Sequence, residues 1–136
     1  MNRKGYYLFE VVLILSIITS FLLFLPIKKT SCSSCLKQFT KILENDLEYG
    51  IGYTLNHFTL VNLYTIPEQN TYFLRDGNLE IVLVRKFDKK LKIKKIEIRM
   101  SHGYVIKNYQ FTISCNNENY QIFITEKSGK VNVFKE

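Results

Sequence analysis

The sequence predicts an α+β fold in which one long N-terminal helix, apolar in its first half, packs against a small antiparallel β-sheet. Three observations predict it. Tyr6 to Leu25 is apolar apart from Glu10. Leu36, Phe39, Leu43 and Leu47 recur at helical spacing, with Lys37, Lys41, Glu44 and Glu48 between them. Everything after Phe58 alternates in strand fashion between clusters of turn residues.

The chain has 136 residues, 46% of them hydrophobic, with ten Phe, nine Tyr and no Trp. Setting aside an apolar span of about 20 residues leaves enough chain for one small domain with a modest core, which excludes a disordered tail. The formal net charge of +7 favours anionic partners in general, whether nucleic acid, lipid or wall polymer, and selects none of them. Lys92, Lys94, Lys95 and Arg99 alternate with Leu91, Ile93, Ile96 and Ile98, as on the solvated face of a sheet.

At about 1.5 Å per residue the N-terminal apolar run reaches about 30 Å, the thickness of a bilayer core. Arg3 and Lys4 precede it, and Pro26, Lys28 and Lys29 follow it. A cleaved secretory signal would have a shorter apolar region and a small-residue site before Lys28, and the sequence shows neither. Cys32 follows Lys29, Thr30 and Ser31, so it lacks the apolar residue that lipidation wants three places back. Glu10 is the exception within the run. A carboxylate there costs on the order of 2.5 to 3.5 kcal/mol on insertion scales, which an interfacial position or a cationic partner would offset. An α-amino group is the partner expected.

The stripe from Leu36 to Leu47 extends the helix outward until Gly50 and Gly52, which are expected to end it. Pro26 is expected to kink it without breaking it. Strands are predicted over Phe58 to Ile66, Thr71 to Arg75, Leu79 to Phe87, Lys94 to Met100, Val105 to Ser114, Tyr120 to Glu126 and Val131 to Phe134. Pro67 to Asn70 reads as a turn, and Asp76-Gly77-Asn78 is the strongest hairpin signal. Within Val105, Lys107, Tyr109, Phe111 and Ile113, all but the lysine would face the helix.

Arg3-Lys4-Gly5-Tyr6-Tyr7-Leu8-Phe9-Glu10, followed by Val11 to Leu15, resembles the class III signal of type IV pilins and pseudopilins. That signal is a basic leader, a Gly, an aromatic first mature residue and a Glu at mature position five. The resemblance implies a pilin-like fold, cleavage between Gly5 and Tyr6 by a prepilin peptidase, and N-methylation of Tyr6. It also assigns filament assembly to Glu10, whose carboxylate would pair with the Tyr6 ammonium of the next subunit. Tyr6 replaces the more usual Phe, and Pro26 lies one residue earlier than the proline of major pilins. Ile66 to Phe73, Tyr120 to Ile124 and Gly129 to Val131 further resemble the competence minor pseudopilins of Firmicutes, particularly the ComGD type.

What the resemblance implies for the chain's organisation is a leader at 1–5, a transmembrane and assembly helix at 6–26, an extracytoplasmic amphipathic helix at 27–52 and a β domain at 53–136. The implied protein is single-pass in the cell membrane, with its N-terminus cytoplasmic, and then part of a surface pseudopilus for DNA uptake. Its implied partners are other major and minor pseudopilins, the prepilin peptidase and, indirectly, the assembly platform protein and ATPase. The alternatives are a pseudopilin of type II secretion or another type IV pilus-like system, and an unprocessed, signal-anchored surface binding protein.

No enzymatic chemistry is expected, and no cofactor or metal. Cys32-Ser33-Ser34-Cys35 lacks the strand-before-helix context of a redox site, and Cys115 gives no second pair for zinc. In an oxidising space Cys115 can bridge to Cys35 or to Cys32, Cys32 can bridge to Cys35, or the thiols can stay free. An odd number leaves at least one unpaired within the chain. His57 and His102 read as surface residues, Asp76 and Glu80 as turn and edge residues, and no Gly-rich phosphate loop is present. Lys86, Lys89, Lys90, Lys92, Lys94 and Lys95, with Phe87 among them, have the composition of a DNA phosphate contact or of a solvated hairpin tip.

Overall fold

The computed structural model describes residues 3–24 and 31–136, and the chain divides into two compact units, 1–30 and 31–136. The first unit contains a single described helix, α1 (Arg3–Phe24). The second begins with α2 (Cys32–His57) and continues through nine strands.

The expected single long helix is therefore corrected to two separate helices, and the sequence shows why a new one starts at Cys32. Ser31 is extended (φ −68°, ψ 152°) and its hydroxyl accepts a hydrogen bond from the Ser34 N–H at 3.3 Å, an N-cap that satisfies an otherwise unpaired amide. Pro26, Lys28 and Lys29 lie outside the described residues. The expected single-pass anchor is corrected as well. Among the described residues no helix is long and apolar enough to cross a membrane. Arg3 and Lys4 open α1 and Glu10 interrupts it, so its uncharged stretch from Val11 to Phe24 reaches only about 21 Å against a core of about 30 Å.

Helix α2 runs past Gly50 and Gly52 to His57 and ends at Phe58 in the left-handed conformation (φ 51°). Gly50 serves packing instead of capping. A Cβ there would come within 2.8 Å of Leu74 Cδ2 and of Met100 Sδ, so the glycine lets α2 lie close on the sheet. The predicted stripe is buried as expected: Leu36, Phe39, Leu43 and Leu47 all face the core.

The strands form two antiparallel sheets where one was expected. β1 (Val61–Ile66), β2 (Thr71–Asp76), β3 (Ile81–Lys86), β5 (Glu97–Ser101) and β6 (Tyr104–Val105) make the first, in the order β3-β2-β1-β5-β6. β4 (Leu91–Ile93), β7 (Tyr109–Cys115), β8 (Glu118–Ile124) and β9 (Val131–Lys135) make the second, in the order β4-β7-β8-β9. Helix α2 packs on β1 and β5 of one sheet and β9 of the other, so a shared core lies beneath it. The predicted strand from Val105 to Ser114 is divided between the sheets. Val105 ends in the first, Ile106 to Asn108 are exposed, and Tyr109 opens the second. β4 was not predicted as a strand. Leu91 and Ile93 are buried in it, paired with Cys115 and Ile113 of β7.

Turn chemistry holds the registers. Asp76 Oδ1 accepts hydrogen bonds from the Asn78 and Glu80 N–H groups, both at 2.9 Å, and Gly77 N–H donates to Thr59 Oγ1 at 3.2 Å. The β2–β3 hairpin is thereby tied to the link between α2 and β1. Pro67–Gln69 forms a 3₁₀ turn closed by Asn70 at φ 49°.

One polar cluster crosses the core. Asp46, on the buried stripe of α2, accepts from Tyr72 Oη at 2.7 Å, from Arg85 Nε at 3.0 Å and from Arg85 Nη2 at 3.2 Å. Burial, and then the hydrogen bond to Asp46, hold the Tyr72 phenol well above the usual tyrosine range.

Candidate assembly site

Over its described side chains, 7 and 9–20, helix α1 is exposed and mostly apolar. Val11, Val12, Leu13, Ile14 and Leu15 are all exposed, and five consecutive residues cover more than the 3.6 of one turn. Tyr7 and Phe9 before them are also exposed. The hydroxyls do not change this character. Ser16 Oγ donates to Val12 O and Thr19 Oγ1 to Leu15 O, each at 2.9 Å, so both turn their polarity back into the helix.

Glu10 differs from everything around it. Among the described side chains of α1 it is the sole charge, it is exposed, and it has no hydrogen bond or ion pair. Gly5 and Tyr6 are described at the backbone alone, where both are helical. Tyr6 to Glu10 is a spacing of i to i+4, one turn along the helix. A helix apolar all round requires cover from neighbouring apolar surface, and a lone carboxylate under such cover requires a cation. Within the first unit nothing described supplies either.

The predicted basic run is exposed throughout but is not one continuous patch. Lys86 closes β3 in the first sheet, Lys89 and Lys90 lie in the following turn, Lys92 belongs to β4 in the second sheet, and Lys94 and Lys95 lead toward β5. On β4 the side chains alternate, Leu91 and Ile93 inward and Lys92 outward, as expected of a solvated sheet face. The register places Lys92 beside Ser114, whose hydroxyl donates to Asn119 Oδ1 at 2.7 Å. A cavity of about 380 Å³ lies over this face, lined by Lys92, Lys94, Thr112, Ser114, Asn119 and Glu136 among others.

Of the three cysteines, Cys32 and Cys115 form a disulfide, and Cys35 is a free, buried thiol. Its Sγ donates to Asp88 Oδ2 at 3.4 Å. Burial, and then Asp88, push this thiol above its ordinary value, while a backbone hydrogen bond from Lys90 first, and Cys35 next, hold Asp88 below the usual carboxylate range.

His57 stacks on Tyr53 with ring centroids 4.1 Å apart, and His102 Nδ1 shares a hydrogen bond with Ser101 Oγ at 2.7 Å. Both are exposed. Among the described residues no group of His, Cys, Asp or Glu comes together as a metal site.

Two features escaped sequence reasoning. Asp46 lies three residues after Leu43, on the apolar stripe itself, which was the available signal for a buried acid. Phe58 is 95% exposed and sits at positive φ, and nothing local in its sequence marks it.

No family model, curated protein or solved structure matches the chain.

Proposed function

We propose that this chain is a non-catalytic minor subunit of a pilus-like filament of the competence, DNA-uptake type, processed after Gly5 by a prepilin peptidase. The observation that carries the reading is Glu10, exposed, without a partner among the described residues and the one charge among the described side chains of α1, four residues after Tyr6. Cutting after Gly5 would place a new ammonium on Tyr6, and N-methylation would leave it cationic. In a bundle of such helices the Tyr6 ammonium of one subunit meets the Glu10 carboxylate of the next. At about 4 Å and an effective dielectric constant near 20 the pair is worth about 4 kcal/mol before desolvation, enough to select one register over its neighbours. The partners are other major and minor pseudopilins, which cover α1, together with the peptidase and, indirectly, the platform protein and ATPase of the assembly machinery.

The test is mass analysis of the chain's N-terminus in cells with and without the peptidase. The expected mature form begins at N-methylated Tyr6, and an intact Met1 in both strains removes the proposal. Glu10→Ala is expected to leave processing largely intact while impairing incorporation into filaments, and normal assembly of that variant counts against the amine pairing. Direct DNA contact through Lys86, Lys89, Lys90, Lys92, Lys94 and Lys95 is part of the proposal only if binding is present at low salt, falls with salt concentration, and is lost in a charge-scrambled control.

A further inference from the structure

We infer that Cys32, Cys35 and Cys115 form a thiol–disulfide exchange site, in which Cys35 attacks Cys115 and releases Cys32 as a reactive thiol at the head of α2. This inference stands apart from the filament reading and uses only the second unit. The three residues come from two elements, α2 and β7. Cys32 and Cys35 lie one turn apart on α2, and Cys32 is bonded to Cys115 at the end of β7 with a Cα–Cα distance of 6.1 Å. Cys35 and Cys115 are both buried in the same core cluster. The turn after β3 touches Cys35 and is bonded to β4, the strand paired with Cys115. Asp88 accepts the Cys35 S–H through its side chain, and its carbonyl accepts at 3.0 Å from the N–H of Leu91, the residue registered against Cys115.

The step is internal and balanced. Cys35 loses its proton to solvent, against the hold of the Asp88 carboxylate, and the thiolate attacks Cys115 Sγ. The Cys35–Cys115 bond forms as the Cys32–Cys115 bond breaks, and Cys32 departs as a thiolate that later takes up a proton. No external oxidant or reductant is consumed. The direction of attack follows from the leaving group, since a departing thiolate is favoured where water reaches it over a site where it would be desolvated. Cys32 occupies the first residue of α2, just after the Ser31 cap, and is only partly buried. Cys115 is deeply buried and has no such access to water. The product keeps α2 tethered to β7 through residue 35 and presents a thiol at Cys32, which is only partly buried. Its co-reactant class is a soft electrophile or a second disulfide.

Asp88 and Lys90 are the charged groups that act on Cys35, the first favouring the protonated thiol and the second opposing that effect. The exchange therefore idles near neutrality and quickens about tenfold per pH unit while the pH stays below the thiol's own value.

The experiment is native alkylation of the full chain, purified without reductant, with iodoacetamide at about pH 7 and about pH 9, followed by acid quenching and peptide mapping. The expected product carries the label on Cys32 with Cys35 joined to Cys115, and it accumulates faster at the higher pH. Asp88→Asn is expected to accelerate it, and Cys35→Ser to abolish labelling of Cys32. Label on Cys35 with the Cys32–Cys115 bond retained overturns the inference. Label on Cys115 also does so, because it means that Cys32 was attacked. Absence of any label over hours at the higher pH overturns it too. The wild-type mapping decides the matter even if a variant fails to fold.

Discussion

Asp46→Ala tests whether the polar cluster is what fastens α2 to the first sheet. Asp46 is 3% exposed and Tyr72 1% exposed, so removing the carboxylate leaves the Tyr72 hydroxyl buried without a partner. An orphaned buried donor costs about 1 to 3 kcal/mol. Arg85 loses the same partner, but its side chain is 49% exposed and regains water, so no further loss is assigned to it. The expected destabilisation is thus about 2 kcal/mol, read as a shift of the urea midpoint at unchanged slope, with far-UV circular dichroism as the probe. Tyr72→Phe removes the hydroxyl and leaves Asp46 paired with Arg85, so about 1 kcal/mol is expected. The double variant should cost less than the sum, because no hydroxyl is then orphaned. A change of under about 0.5 kcal/mol for Asp46→Ala, or strict additivity, would refute the reasoning.

Further outcomes follow from the same packing and electrostatics. Gly50→Ala should destabilise by about 1 to 2 kcal/mol, because its Cβ meets Leu74 and Met100, whereas Gly52→Ala, with nothing within 4 Å, should stabilise by about 0.8 to 1 kcal/mol; thermal unfolding of the two variants checks the opposite signs. Phe58→Gly should stabilise by about 1 kcal/mol in the same assay, since a bulky residue at φ 51° gives up almost no burial there; a loss of stability would mean the aromatic ring matters to the fold. Above about pH 10 the unfolded Tyr72 ionises while the folded one stays neutral, so wild-type stability should fall with rising pH by more than that of Tyr72→Phe, as denaturant titrations across that range would show. On the acid side Glu97 and Glu118 are held below the usual carboxylate range, by Arg99 and Lys135 first, so their contribution is present above about pH 4 and lost as pH falls through the folded values. Glu118→Gln should flatten that acid limb of the melting temperature.

The sheet region was legible at the level of elements because local chemistry specifies it. Asp76-Gly77-Asn78 makes its turn with its own side chain, and Leu36, Phe39, Leu43 and Leu47 bury the face their spacing defines. The division into two sheets was not legible, because alternation gives a strand's inward face without naming its neighbour. Val105, Tyr109 and Ile113 are all buried, yet Val105 pairs with Met100 and Tyr109 with Ile124. Gly50 misled for a related reason. A glycine near the end of an apolar stripe reads as a cap, and only the approach of Leu74 and Met100 shows that it makes room for contact.

Of the candidate assembly site, residue order alone decided that Glu10 is the one charge in the apolar run from Tyr6 to Leu25, four residues after Tyr6, because charge and spacing along the chain are local properties. It also decided that three cysteines must leave one unpaired within the chain. Tertiary structure decided that Cys32, not Cys35, bonds Cys115, and that Cys35 is buried against Asp88. It decided equally that Ser31 starts a second helix and that an acid on the apolar stripe finds Tyr72 and Arg85. These depend on which residues meet from distant parts of the chain, and the burial that orders those meetings belongs to no local segment.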